Sequence, residues 1–301
     1  MGKVKLIGIA PCYNELSKGH LERFFINIPK IVDGLVILDD ASTDGSYEYV
    51  KDHTEHVLRN KINRFIFEQD NTQVLINEAL RCYPDLTHIL TLNIDSSFSP
   101  SCFKEGDAIL HKCLEEHPEH GMWVGRNVHL WRSNFWYRSD RGWKDDSTER
   151  VYVRAHSLSM VHAKRKGLHH GKVTTASNWS SINEYYPEFA SLHWGFSEKK
   201  LIEEKFHFYL TQERQRIPSP DKYYCTNVFK LLDEFDLKLD KVDEKWFDPD
   251  IKYSKEKRKP LPISYYSHIQ IYDKQKANEY KTYFTEKCGF HSEEETYKEI
   301  V

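Results

Sequence analysis

The chain has 301 residues, 39% of them hydrophobic, which is enough for one large core or for a core with an appendage. No apolar run approaches the roughly 18 residues that a membrane span needs, and the start of the chain does not read as a secretory signal. Six cysteines without a Cys-x-x-Cys pair exclude the usual zinc-ligand spacing and disfavour a disulfide framework. From these three features we expect a cytoplasmic protein without a membrane span, whereas the net charge of −3 says little.

Strands and helices alternate through the first part of the chain. The predicted order is a strand at 5–10, a helix at 21–31, a strand at 34–38, a helix at 44–50, a strand at 64–68, a helix at 71–80, a strand at 88–92 and a helix at 100–114. Such alternation is typical of βαβ units. We therefore predict an α/β fold with a mostly parallel central sheet flanked by helices.

The alternation ends after Trp123. Residues 129–154 read as paired strands and turns, helical periodicity returns at 197–211 and 223–235, and the chain becomes charged from 238 onward. We predict three parts: a first half at 1–125, a second and smaller region at 126–237, and a helical C-terminal appendage at 238–301.

Two of the predicted strands end in acidic side chains. Asp39 and Asp40 follow the apolar run 35–38, and Asp95 follows the run 89–92. Ligands of open α/β sheets bind beyond the carboxyl ends of the strands, so these acids predict a nucleotide and metal site. The alternative is that they are turn or helix-capping residues, since Asp is common in both places.

Four motifs in the first hundred residues, in this order, carry a family resemblance. They are Pro11-Cys12-Tyr13-Asn14-Glu15, then Leu38-Asp39-Asp40-Ala41-Ser42-Thr43-Asp44-Gly45, then Asn77-Glu78-Ala79-Leu80, and finally Asn93-Ile94-Asp95 with Pro100 after it. With them the chain resembles a glycosyltransferase of the GT-A fold, most similar to family 2. The resemblance implies a Rossmann-like domain whose first half, 1–125, binds a nucleotide sugar and whose region 126–237 binds the acceptor.

The donor site that the resemblance implies has three parts. The loop from Pro11 through Tyr13 and Asn14 to Glu15 covers the base, and Asp39 and Asp40 hydrogen-bond the base and ribose. Asp95 binds Mn²⁺ or Mg²⁺, and His193 completes the metal site. The remaining donor-site positions are Asn77, Asn93 and Ile94.

One motif departs from the family pattern. Asn93 stands where the family has the first Asp of the Asp-x-Asp motif, which removes a negative charge from the site. An Asn carbonyl can still bind a metal ion, but the affinity for the metal would be lower.

The second half resembles one branch of the family through 143–152 and through His193-Trp194-Gly195-Phe196, with Lys205 and Tyr209 further on. By this resemblance Asp146 is the base that deprotonates the acceptor hydroxyl, with Asp145 beside it. Direct attack inverts the anomeric centre, and UDP is the expected nucleotide. The acceptor would contact Trp143, Arg150 and Trp194.

A basic, aromatic segment spans 126–172, with eleven Lys and Arg against four Asp and Glu. It is either a solvated surface or a site for an anionic acceptor, such as hydroxymethylated DNA or a phosphorylated glycan. On the second hypothesis the contacts come from Arg132, Arg138, Arg141, Arg150, Arg154, Trp131, Trp136, Tyr137 and Trp143.

Three other functions compete with a glycosyltransferase. A nucleotidyltransferase has a related sheet, but it needs a glycine-rich loop after the first strand, and 11–15 contains no glycine. A non-catalytic protein that binds nucleotide sugars or glycans is favoured only by Asn93. A nucleic-acid-binding module would use the basic segment and would bind with a strong dependence on salt.

Overall fold

The structure is a computed structural model that describes residues 4–106, 109–116, 122–139, 151–154, 184–198, 200–202, 204–205, 208 and 238–253. These residues fall into two compact units. The larger unit holds the described residues up to 128 together with 151–154, 184–194 and 243–253, and the smaller unit holds the others. The domain boundaries at 125 and 237 stay predictions.

One sheet organises the larger unit. Its strands are β1 (Leu6–Cys12), β2 (Gly34–Asp39), β3 (His56–Arg59), β4 (His88–Thr91), β5 (Ser96–Phe98), β6 (Met122–His129), β8 (Val151–Arg154) and β9 (Glu184–His193). The spatial order is β3-β2-β1-β4-β8-β6-β9-β5. The first four strands pair in parallel, whereas β8 runs antiparallel to β4 and to β6, and β9 antiparallel to β5. The predicted α/β fold with a central parallel sheet is confirmed.

Helices cover both faces of the parallel strands, which explains their nearly continuous apolar sequences. The helices are α1 (His20–Asn27), α2 (Ser46–His53), α3 (Glu68–Cys82) and α4 (Ile109–Glu116). On one face, Leu6 and Ala10 pack in a core with side chains of α1, α2 and α4. On the other, Ile7 and Ile9 pack against α3. Alternate residues of β1 therefore serve two separate cores.

The strand order reverses at β1. The chain builds β2 and β3 on one side of β1 and then crosses over to place β4 on the other side. In such sheets the crevice at the point of reversal is where ligands bind. A cleft lies there, between the ends of the strands and the start of α3, and it is lined by Ile9, Pro11, Glu68, Thr72, Leu75, Thr91, Leu92 and Asn93.

The third strand differs from the prediction. Residues 64–68 contain a 3₁₀ turn at Phe65–Phe67, and the strand is His56–Arg59. As the edge strand it is only half buried, so it lacks the apolar run that marks an interior strand. The aromatic residues instead lead into α3.

Two predicted helices also differ in detail. Where a helix was expected from Pro100 onward there is first a short 3₁₀ turn, Pro100–Cys102, and the described helix α4 is Ile109–Glu116. In α3, Val74 and Leu80 are 41% and 40% exposed, because Leu75, Ile76 and Ala79 occupy the inner face. Of the predicted helix 197–211, the residues 200–202, 204–205 and 208 are helical, and 223–235 lies outside the described residues.

Paired strands, as predicted for 129–154, occur in both units. Besides β6 and β8, the smaller unit has an antiparallel pair formed by β7 (Trp136–Arg138) and β10 (Leu239–Lys241). No helix among the described residues is long and apolar enough to cross a membrane.

A C-terminal segment, residues 243–253, packs into the larger unit through a buried carboxylate. Asp248 accepts hydrogen bonds from the amide of Asn27 at 2.9 Å and from the ammonium of Lys30 at 2.7 Å. Asn27 also donates to the carbonyl of Phe98 at 3.0 Å and accepts from its N–H at 2.8 Å. This segment, which we call the C-terminal clasp, is therefore tied to α1 and, through Asn27, to β5.

Replacing Asp248 with alanine should lower the free energy of unfolding by about 1–3 kcal/mol, because the buried amide of Asn27 loses an acceptor. The matched control is Asp250→Ala. Asp250 also pairs with Lys30, at 2.6 Å, but its side chain is 68% exposed, so its loss should cost about 0.5 kcal/mol or less. Urea unfolding measures both variants, and equal losses would contradict the role given to Asp248.

Candidate functional site

Two loops at the carboxyl edge of the sheet are joined by hydrogen bonds between main-chain and side-chain atoms. The N–H of Asn14 donates to the hydroxyl of Ser42 at 3.0 Å, and the N–H of Thr43 donates to the side-chain carbonyl of Asn14 at 2.8 Å. Asn14 has a φ of 51°, a left-handed conformation that asparagine tolerates better than most residues. The loops 11–17 and 40–46 thus form one surface, whose joining bonds we call the loop seam.

The second half of the loop seam centres on Ser46. Its hydroxyl accepts from the N–H groups of Glu15 at 2.9 Å and Leu16 at 3.0 Å, and it donates to Asp44 at 2.5 Å. Asp44 also accepts from the N–H of Ser17 at 3.0 Å. Burial raises the pKa of Asp44, but the hydrogen bonds from Ser17 and Ser46 outweigh it and leave that pKa lowered.

Asp39 ends β2 and is fully buried. Its Oδ2 accepts from the N–H of Ser42 at 3.1 Å and lies 3.4 Å from Nε of Arg59. Its Oδ1 is buried and has no hydrogen-bond partner. Burial raises the pKa of Asp39, whereas Ser42 and Arg59 oppose that rise. A buried carboxylate oxygen without a partner costs free energy, so Oδ1 is suited to accept a hydrogen bond from a ligand.

Asp40 is buried as well, but its carboxylate is bonded within the protein. Its Oδ1 accepts from the amide of Asn60 at 2.6 Å and from the N–H of Arg64 at 2.8 Å. Asn63 donates to its carbonyl at 3.3 Å. Burial raises the pKa of Asp40 to about 6. Asp40 therefore fastens the segment 60–64 beside the loop seam, and its contact with a ribose or base stays a prediction.

Arg64 belongs to this site although no sequence motif identified it. Its Nη2 donates to Asp70 at 3.1 Å, and the guanidinium lies 5.5 Å from the ring centre of Phe67. Its Nε is buried and has no hydrogen-bond partner. The available signal was an Arg directly after Asn63, and the incorrect assignment of 64–68 to a strand hid it.

The metal ligands implied by the resemblance do come together. Oδ2 of Asp95 lies 3.1 Å from Nε2 of His193. The antiparallel pairing of β5 with β9 sets Ser96 opposite His193, and the N–H of Trp194 donates to the carbonyl of Asp95 at 2.7 Å. Residues distant in sequence are thus joined by a strand pair.

A second carboxylate–imidazole pair lies near the first. Oε2 of Glu15 is 2.6 Å from Nδ1 of His20, and Oε1 is 3.2 Å from Nζ of Lys18. Burial raises the pKa of Glu15 and the charge of Asp95 adds to this, but Lys18 and His20 outweigh both and lower it. The Glu15 side chain is therefore held by its own loop and the start of α1.

The described residues contain no group of three or more His, Cys, Asp or Glu side chains that could hold a metal ion by themselves. Asp95 and His193 nevertheless suit an ion such as Mg²⁺, which is usually bound by one or two carboxylates together with substrate phosphates. Asn93 lines the cleft and offers a further oxygen ligand. The residues present therefore fit a metal that the substrate helps to bind.

Trp194, expected to contact the acceptor, is enclosed. It is 2% exposed, and its indole N–H donates to the hydroxyl of Ser97 at 2.9 Å. The ring centres of Phe247 and Tyr253 in the C-terminal clasp lie 6.4 Å away, and the guanidinium of Arg23 lies 4.8 Å from the ring. In this arrangement Trp194 supports the His193 turn, and contact with an acceptor stays a prediction.

The other predicted site residues are scattered. Pro11 lines the cleft, Tyr13 is half buried in the first loop, and Ile94 is buried in the core. Asn77 lies on the exposed face of α3, where its side chain accepts from Gln73 at 2.9 Å, and it does not line the cleft. The remaining predicted residues lie outside the described ones: Trp143, Asp145, Asp146, Arg150 and Tyr209.

Part of the predicted anionic site is interior to the smaller unit. Arg138 and Trp131 are both buried, and the guanidinium lies 4.8 Å from the indole ring centre. Arg132, Trp136 and Tyr137 are half buried. The geometry gives Arg138 and Trp131 a packing role, whereas Arg141 lies outside the described residues.

Comparisons with known proteins found no matching protein-family model and no matching curated protein. Solved structures do align. TarS from S. aureus superposes with a TM-score of 0.41 at 13% identity, over 76% of this chain and 45% of TarS, so the chain spans less than half of that structure's length. TarS 1-349 in complex with UDP-GlcNAc gives a TM-score of 0.35 at 15% identity, over 52% of this chain and 46% of that one. The inositol-1-phosphate CTP transferase from T. maritima gives 0.38 at 12%, over 64% and 89%. Likeness at this level carries no information about substrate or reaction.

The buried carboxyl of Asp40 predicts a pH effect on stability. Its pKa in the folded protein, about 6, exceeds the ordinary 3.8, so the folded state binds the proton more readily. The free energy of unfolding should then fall as the pH rises from about 4 to about 6, by up to about 3 kcal/mol for a shift of this size. Asp40→Asn keeps the shape and should remove this fall in urea unfolding.

Asp44→Asn is the matched comparison for Asp40→Asn. Because the pKa of Asp44 is lowered on folding, its ionised form stabilises the protein at neutral pH and this benefit disappears as the pH falls below about 4. The two variants should therefore differ from the unmodified protein with opposite pH trends. A slope between about pH 4 and 6 that is unchanged in Asp40→Asn would contradict burial as the cause.

Proposed function

We propose that the chain is a glycosyltransferase of the GT-A type that transfers a sugar from a nucleoside diphosphate donor to a hydroxyl group. The observation that carries the proposal is the placement of the acids. Asp39 is the last residue of β2 and Asp95 follows β4, and these parallel strands flank β1, where the strand order reverses. This is where an open α/β sheet binds nucleotides. The order of the family 2 motifs supports the same assignment.

In this proposal the surface formed by the loops 11–17 and 40–46 holds the nucleotide. Residues 11–15 cover the base, and Oδ1 of Asp39 accepts a hydrogen bond from it. Asp40 keeps the segment 60–64 in place, and the guanidinium of Arg64, which pairs with Asp70, would also meet the negative charge of the donor. The nucleotide is uridine diphosphate, an assignment that rests on the family resemblance.

Asp95 and His193, together with Asn93, would hold a Mn²⁺ or Mg²⁺ ion against the diphosphate. The ion would neutralise the charge that develops on the departing diphosphate. Because Asp95 is the one acidic ligand in this set, with Asn93 in place of Asp, the bound donor would be the main source of the remaining oxygen ligands.

The transfer itself needs a base for the acceptor. Asp146 removes the proton of the acceptor hydroxyl. At the same time the hydroxyl oxygen attacks the anomeric carbon, and the bond from that carbon to the diphosphate oxygen breaks. Attack from the side opposite the leaving group inverts the anomeric centre. Asp145, Trp143 and Arg150 complete the acceptor side in the motif. The basic segment around them favours an anionic acceptor, either hydroxymethylated DNA or a phosphorylated glycan.

A second candidate function is a protein that binds nucleotide sugars or glycans without turnover. It is favoured by Asn93, because a site with one fewer carboxylate binds a metal ion less strongly. Donor binding without any product formation would favour this candidate.

Thermal unfolding with a panel of nucleoside diphosphate sugars, each with and without Mn²⁺, tests the donor and the metal. A donor at about 100 times its Kd stabilises the fold by roughly 2.7 kcal/mol. We expect one donor to raise the Tm and Mn²⁺ to enlarge the rise. Asp95→Asn should abolish the enlargement, whereas the exposed Asp85→Asn should keep it. No rise with any donor would contradict the proposal.

The base is tested by Asp146→Asn in a transfer assay. Losing a positioned general base should lower kcat by about 10²–10⁴-fold while donor affinity stays unchanged. Asp140→Asn, an acid of the same segment, is the control and should retain activity. A near-normal rate for Asp146→Asn would place the base elsewhere.

A further inference from the structure

The two oxygens of Asp39 have different surroundings. Oδ2 accepts from the N–H of Ser42 and lies beside Nε of Arg59, whereas Oδ1 is buried without a partner. A carboxylate held by one oxygen presents the other in a fixed direction. A ligand atom that contacts Oδ1 therefore meets an acceptor when Asp39 is ionised and a donor when Oδ1 is protonated.

Arg59 is positioned to fix the orientation of the Asp39 carboxylate and to favour its ionised form. The parallel pairing of β2 with β3 sets Asp39 and Arg59 side by side. The guanidinium also donates from Nη2 to the carbonyl of Ser42 at 3.2 Å and lies 4.2 Å from the ring centre of Tyr47. Its Nη1 lies 3.9 Å from Oε1 of Glu48. An arginine with a 42% exposed side chain is thus fixed by four partners, of which Asp39 and Ser42 are buried.

We propose that Arg59 is a positioning residue for nucleobase recognition, which keeps Asp39 ionised and its Oδ1 an acceptor, so that the site selects a base with a ring N–H. Uracil carries such an N–H on its pairing edge, whereas the corresponding ring nitrogen of cytosine is an acceptor. The proposal rests on the proposed function, since it needs a nucleotide bound at the loop seam. It adds a residue that no motif contains.

The charges around Asp39 support this role. Glu48 of α2 and the neighbouring Asp40 disfavour its ionised form, as burial does, and the Cys12 thiol of β1 lies close enough for the charge of Asp39 to raise its pKa. Hydrogen bonds from Ser42 favour the ionised form most, and among the described residues Arg59 is the cation that adds to them.

Without Arg59, a proton would be taken up by Asp39 more readily. It would settle on Oδ1, because Oδ2 already accepts from Ser42. Oδ1 would then donate a hydrogen bond, which opposes the N–H of uracil and matches the ring nitrogen of cytosine. Loss of the arginine should therefore change which base is preferred as well as how tightly it binds.

The test is calorimetric titration of UDP and of CDP into the full chain between about pH 5 and pH 8. The variants are Arg59→Met and Arg59→Lys, with the exposed Lys51→Met on α2 as control. The ratio of the two affinities is the readout, because the titration of the diphosphate itself affects both ligands equally. The Tm of each variant without ligand confirms that the fold is retained.

The unmodified protein should prefer UDP. Arg59→Met should weaken UDP binding by about tenfold, the size expected for a lost hydrogen bond to a charged group, and should reduce the UDP-to-CDP ratio. As the pH is lowered, this variant should lose its preference for UDP at a higher pH than the unmodified protein does. Arg59→Lys should restore part of the preference, and Lys51→Met should match the unmodified protein.

An Arg59→Met variant with an unchanged ratio at every pH would overturn the role of Arg59 and leave the proposed function in place. Equal affinity of the unmodified protein for UDP and CDP would do the same. If the unmodified protein binds neither nucleotide, the proposed function and this inference both fail.

Discussion

The loop seam is the constraint on which the candidate site depends. Hydroxyl and carboxylate groups of residues 42–46 satisfy the N–H groups of residues 14–17, which would otherwise have no partners in so tight a turn. The same arrangement places Asp39 below the loops with only one oxygen bonded. The two motifs, which are separate in the sequence, therefore form one structural unit joined by these hydrogen bonds.

The buried acids have a cost in stability that other contacts offset. Asp39 and Asp40 both have raised pKa values because burial disfavours their charge. Fixed donors from Ser42, Asn60 and Arg64 reduce this cost without removing it. Perturbed carboxylates of this kind concentrate at functional sites, where a ligand supplies the missing interaction. Asp248 differs from Asp39 because both of its carboxylate oxygens are bonded, one to Asn27 and the other to Lys30.

Much of this could be predicted from the sequence because local patterns determine it. Interior strands such as β1, β2 and β4 are apolar runs, and the acids directly after them must lie at the carboxyl edge. The edge strand β3 was misplaced because half-buried strands have no such run. Arg59 and Arg64 were missed because their roles depend on strand pairing and on a turn. The contact of Asp95 with His193 came from the family resemblance, since no local pattern joins residues so far apart. Asp145 and Asp146 stay predictions.

The most direct test of the nucleotide site is hydrogen–deuterium exchange with and without UDP and Mn²⁺. Binding at the loop seam should slow exchange in residues 11–17, 40–46 and 59–64 together, because the ligand would hold both loops and the segment fastened to Asp40. The N-terminal edge of the sheet, around residues 85–88, should not change. Protection confined to other parts of the chain, with these three segments unaffected, would contradict the account.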